Sequence, residues 1–168
     1  DPYVKLARKT VEEYIIAGEI IKPPLNLPKY MLTEKAGVFV TLKKQGQLRG
    51  CIGTINPVRS SIAEEIIYNA ISAATEDPRF FPVTKDELKD IVYSVDLLGK
   101  AESVDSLEDL NPREYGVIVQ KGFRRGLLLP DLEGVDTPKQ QVSIALDKAG
   151  IHPEERYKLQ RFKVHRHV

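Results

Sequence analysis

The chain lacks tryptophan altogether and has one methionine and one cysteine in 168 residues. A lone cysteine excludes an internal disulfide. The opening Asp1-Pro2-Tyr3-Val4-Lys5 has neither the basic start nor the apolar stretch of a secretory leader, so the expected compartment is the cytoplasm. No apolar run approaches the roughly 18 residues that a membrane helix needs. Charge of one sign is missing too. With 25 Lys and Arg against 24 Asp and Glu, the net charge is only +1. No global field therefore attracts nucleic acid, and any RNA contact has to be local. Of the three histidines, His152, His165 and His167, the last two share one face of a strand and are candidates to serve the lone cysteine as a base or to join it in a metal site, but without a third ligand the spacing does not define a metal centre, and no cofactor is called for.

What is present reads as one domain over residues 1–168, with room for a smaller appended lobe. Val4, Ala7, Val11, Tyr14 and Ile15 recur at helical spacing and predict a helix from Tyr3 to Ala17 that stops at Gly18. The prolines of Lys22-Pro23-Pro24-Leu25-Asn26-Leu27-Pro28 enforce an extended crossing loop. Alternation through Val38, Val40 and Leu42, a turn at Lys44-Gln45-Gly46 and a second run from Gln47 to Ile55 predict a hairpin. Ser61-Ile62-Ala63-Glu64 has the form of a capping box and opens a helix to Thr75. Thr84 and Glu87 cap a short helix, and Ile91, Tyr93, Val95 and Leu97 alternate as a strand. A second hairpin joins Gly116–Gln120 to Gly126–Leu129 through the basic turn Lys121-Gly122-Phe123-Arg124-Arg125. Thr137-Pro138 opens a helix ending at Gly150, and Leu159 to His167 alternates as a last strand. Hairpins with inserted helices imply an α+β fold around a mainly antiparallel sheet flanked by helices.

The candidate chemistry centres on Leu48-Arg49-Gly50-Cys51-Ile52-Gly53. Gly50 and Gly53 remove side-chain cover and allow close approach to the backbone and the sulfur of Cys51. Cys51 is thus a candidate nucleophile or sulfur carrier, with Arg49 two positions away on the same strand face, provided Gly50 does not bulge. The dull alternative is a small residue at a tight sheet–helix contact. In Asp77-Pro78-Arg79-Phe80, Arg79 is a candidate fork for a carboxylate or phosphate, held by Asp77; the alternative is a structural ion pair. Lys121, Arg124 and Arg125 around Phe123 make a local basic-aromatic turn of a kind that binds RNA, though such turns are more often simply solvated.

The Leu48-Arg49-Gly50-Cys51-Ile52-Gly53-Thr54 segment closely resembles the AMMECR domain family, whose bacterial and archaeal members are called AmmeMemoRadiSam system protein A. The resemblance extends through Asn69-Ala70-Ile71-Ser72-Ala73-Ala74, Asp77-Pro78-Arg79-Phe80, Ser94-Val95-Asp96, Gly126-Leu127-Leu128-Leu129-Pro130 and Thr137-Pro138-Lys139-Gln140-Gln141, covering nearly the whole chain. Phe81 departs from the family's more usual proline. The resemblance implies an α+β fold of two lobes, with the cysteine segment lining a cleft, and a pathway shared with a Memo-like protein and a radical SAM protein. The expected function is a cysteine-dependent enzyme, with Cys51 reacting and Arg49 and Arg79 holding an anionic substrate; the alternative is a noncatalytic adaptor for a protein partner or RNA.

Overall fold

The computed structural model describes all residues from Asp1 to Val168. It is α+β with antiparallel strands, as the alternating patterns require, and divides into two compact units: Asp1–Leu98 with His165–Val168, and Gly99–Val164.

The first unit begins with α1 (Pro2–Ala17), whose amides at Tyr3 and Val4 are capped by the Asp1 carboxylate and whose end is fixed by Gly18 in the left-handed region. The helix buries Tyr3, Leu6, Ala7, Thr10 and Val11. A five-residue helix α2 (Lys29–Thr33) follows the proline-rich loop and buries Met31; its length is too short for a sequence period to reveal it. Strand β1 (Val38–Lys44) turns at Gln45 and Gly46, both with positive φ, into β2 (Gln47–Thr54). Helix α3 (Ile62–Thr75) packs on both strands and on α1.

The Ser61 hydroxyl accepts the Glu64 amide as expected, but the Glu64 carboxylate takes the amide and hydroxyl of Ser60, one residue upstream of the predicted partner. The buried Glu65 carboxylate instead binds the amides of Val58 and Arg59 and the hydroxyl of Thr54, which ties the connecting loop to the strand. After a 3₁₀ turn (Lys85–Asp90) capped by Thr84 and Glu87, β3 (Ile91–Leu98) pairs with β1, giving the local order β2–β1–β3. Val38, Val40, Leu42, Tyr93 and Val95 face the helices and form the core with Ile62, Ile66, Ile67 and Ala70.

The second unit contains a two-residue strand β4 (Glu102–Ser103), β5 (Tyr115–Lys121), β6 (Arg124–Leu128), helix α4 (Pro138–Ala149) and β7 (Lys158–His167), whose last residues belong to the first unit. Its order is β6–β5–β7, with β4 also pairing β7. Each unit therefore uses the same sequence of parts, a hairpin, a helix and a third strand antiparallel to the first of the hairpin. In both, a glycine brings helix and hairpin into contact: a Cβ on Gly50 would overlap the Ala73 carbonyl, and one on Gly126 the Ala145 carbonyl.

A half-buried strand face carrying the cysteine

Cys51 lies on β2 directly across from Thr41, which in turn pairs with Ser94 of β3. The next row is Gly53, Phe39 and Asp96, and the row on the other side is Leu48, Lys43 and Val92. This register depends on a bulge. The two-residue turn sets Lys44 opposite Gln47 and Lys43 opposite Leu48, and an unbroken ladder would then put Gly50 across from Thr41. Arg49 is the extra residue, so Gly50 pairs Leu42 instead and Cys51 reaches the row of Thr41. The face opposite α3 is thereby given a cysteine, a threonine and a serine side by side.

The bulge also corrects the expected partnership of Arg49 with the sulfur, since strict alternation no longer relates positions 49 and 51. The Arg49 guanidinium turns to the 3₁₀ turn, where Nε and Nη2 donate to the two Glu87 oxygens at 3.0 Å each and Nη2 also meets the Pro82 carbonyl. Lys44 adds a third donor to Glu87, and this cluster, led by Arg49, pulls the Glu87 carboxyl down to about 2.

Asp77 and Arg79, by contrast, are brought to Cys51. The buried Asp77 carboxylate accepts the Cys51 amide at 3.0 Å and a forked pair from Arg79, Nε to Oδ1 at 3.0 Å and Nη2 to Oδ2 at 2.8 Å. That fork holds the Asp77 carboxyl far below the usual carboxylate range. A third fork closes the opposite side of the sheet face, where Arg166 donates to both oxygens of the buried Asp96 at 2.7 and 3.0 Å.

The thiol itself is half-buried and sits 3.2 Å from the Thr41 hydroxyl. Burial pushes its pKa up. The Thr41 contact and the Arg79 charge act in the other direction, while Asp96 and Asp77 push upward again. Burial, the largest of these influences, favours the thiol over the thiolate. None of the three histidines contacts it: His167 stacks on Tyr3 and meets the Asp1 carboxylate at 2.7 Å, and His152 accepts the Glu154 amide. His165 lies exposed on β7. Glycines 50 and 53 do not open a space over the sulfur as their small size suggested. Gly50 admits the Ala73 carbonyl, and the Phe39 ring lies over Gly53.

Sequence reasoning missed Thr41, Ser94, Asp96, Arg166 and Glu87 as members of this face. Strand alternation gives the parity of the first three, but their register requires the bulge. The partner of Asp96 comes from a segment 70 residues away, which no local spacing signals.

Comparison with known proteins adds the following. The AMMECR1 family model matches residues 4–167. A Clostridium acetobutylicum protein is 54% identical over 99% of this chain, which spans only 36% of that protein's length. A Thermotoga maritima protein is 52% identical, with 99% of this chain aligned to 97% of its own. The crystal structure of an uncharacterized protein from Pyrococcus horikoshii superposes with a TM-score of 0.90 at 34% identity, covering 98% of this chain and 88% of that one.

Proposed function

The chain belongs to the AMMECR1 family, and on that premise we propose that it is a noncatalytic docking module whose recognition surface is the strand face around Cys51. The observation that carries this reading is that the face is chemically self-satisfied. Burial disfavours the thiolate and no base contacts the sulfur, and the guanidinium groups of Arg49, Arg79 and Arg166 each already hold a carboxylate in a fork. A nucleophile would need a depressed pKa or an adjacent base. An anionic substrate would need an arginine fork that is not committed elsewhere.

A rigid polar patch flanked by apolar side chains suits protein recognition instead. Val92 is 64% exposed and Leu48 39% exposed on the row beside the thiol, and Phe81, 89% exposed, follows Arg79 and Phe80. By the family resemblance, the partners proposed are a Memo-like protein and a radical SAM protein. The cysteine-dependent enzyme is the competing reading and predicts opposite results.

The test uses the purified partners in calorimetric titration. Leu48→Asp and Val92→Asp should weaken binding at least about tenfold, whereas Cys51→Ser, which keeps a hydroxyl beside Thr41, should bind within about threefold of the parent. Iodoacetamide modification of the parent should titrate with a midpoint at or above the ordinary thiol value of about 8.5. A midpoint well below that value, together with a Cys51→Ser variant that binds normally and stops turnover, overturns docking in favour of catalysis.

A further inference from the structure

The turn joining β5 and β6 places an aromatic ring where no folding requirement puts one. Phe123 is fully exposed at its tip, held there by Gly122 at φ 59°, and none of its neighbours packs on it. An isolated exposed phenylalanine costs apolar hydration without a return in stability. Beside it lies a hollow of about 400 Å³ lined by Gln120, Lys121, Gly122, Arg156, Tyr157 and Lys158. Arg156 and Lys158 are exposed and form no ion pair, so their charges face the hollow uncompensated. Lys121 and Arg124 are different. Both bind Glu155, with Arg124 forking its two oxygens at 2.7 and 3.1 Å and reaching the Gly150 carbonyl, which braces the base of the hairpin against the segment carrying Arg156.

From this arrangement we propose that the β5–β6 turn and the adjoining hollow bind a single-stranded nucleic acid, one base stacking on Phe123 and the flanking phosphates meeting Arg156 and Lys158. The combination of a sequence-neutral aromatic platform and a cationic track is what single-strand recognition uses. A duplex does not fit this chemistry, because its bases are not available to a protruding ring. The sequence pointed only to the turn, with Lys121, Arg124 and Arg125 as its cations. The structure transfers the phosphate role to Arg156 and Lys158, which fold in from β7 and the loop before it, and leaves Arg124 as a brace. The proposal is independent of the cysteine face.

Fluorescence anisotropy with labelled oligouridylate and oligothymidylate of about ten nucleotides tests it on the full chain, the two arms separating RNA from DNA as the source of the strand. Binding should weaken as salt rises, with a slope of log K on log salt of about −1.4 for two phosphate contacts. Phe123→Ala should lose about tenfold or more in affinity. Arg156→Gln combined with Lys158→Gln should lower both affinity and slope, and all of these positions are exposed enough to leave the fold intact. Phe123→Trp supplies the only indole in the chain, and its emission should quench saturably with each bound oligonucleotide. No binding by either strand overturns the proposal, as does binding that is flat with salt or unchanged by Phe123→Ala, or an indole that stays unquenched while anisotropy rises.

Discussion

Asp77 and Glu87 are carboxylates whose ionised forms the fold requires, and that has a consequence for acid stability. Both have folded pKa values below those of the unfolded chain, Glu87 at about 2, with the forks from Arg79 and Arg49 as the leading causes. Their contribution is therefore complete above roughly pH 4, where the unfolded carboxylates are ionised, and disappears as the pH falls toward the folded values. Urea midpoints should hold steady from neutrality to about pH 5 and drop continuously below about pH 4. Arg49→Gln should shift the curve down at neutral pH and flatten its acid limb, since Glu87 then loses its main partner. A midpoint constant down to about pH 2.5 would contradict the assignment. At this scale the sequence was readable in part. Glycines around a single cysteine did mark Cys51, and Asp77-Pro78-Arg79 did mark a pair that meets it. The state of the thiol was not legible, because it follows from burial and from Asp96, whose place opposite Phe39 is a matter of register.

Among the elements, helices and strands followed closely from apolar period and caps. The α1 stop at Gly18, the α3 start at Ser61 and the α4 span between Thr137 and Gly150 lie where the residues put them. Elements of two to five residues, α2 and β4, escaped because so few positions establish no period. The bulge at Arg49 escaped as well. A turn fixes pairing only until an extra residue intervenes, and nothing about an arginine announces one. The hairpin–helix contacts yield a sharp comparison. Gly50→Ala drives a methyl into the Ala73 backbone carbonyl and should cost about 1–3 kcal/mol or more, as should Gly126→Ala against Ala145. Gly46→Ala meets nothing within 4 Å and suffers only its φ of 77°, a penalty of roughly 1–2 kcal/mol. Denaturant midpoints for the three variants check this order. A Gly50→Ala protein as stable as the parent would mean that helix α3 and strand β2 do not approach as closely as described.

The whole chain holds two separate apolar clusters, one built on Ile66, Ile67, Val40 and Tyr93, the other on Val119, Val142, Leu146 and Ile151. Ile66→Ala and Leu146→Ala should each cost about 2–5 kcal/mol, according to how far the neighbours relax into the space left. Because the two residues belong to clusters with no member in common, the double variant should lose the sum to within about 0.5 kcal/mol, measured by equilibrium unfolding. A coupling larger than about 1 kcal/mol would show that the clusters act as one. No helix is long and apolar enough to cross a membrane.

Strand β2 pairs with β1 alone, and its other margin would present bare amides and carbonyls to any extended peptide that drifted past. The Asp77 carboxylate occupies the Cys51 amide on that margin. A second polypeptide trying to extend the sheet there meets, at Cys51, a carboxylate locked by Arg79 in place of a free donor, so the edge is closed to strand addition at that residue.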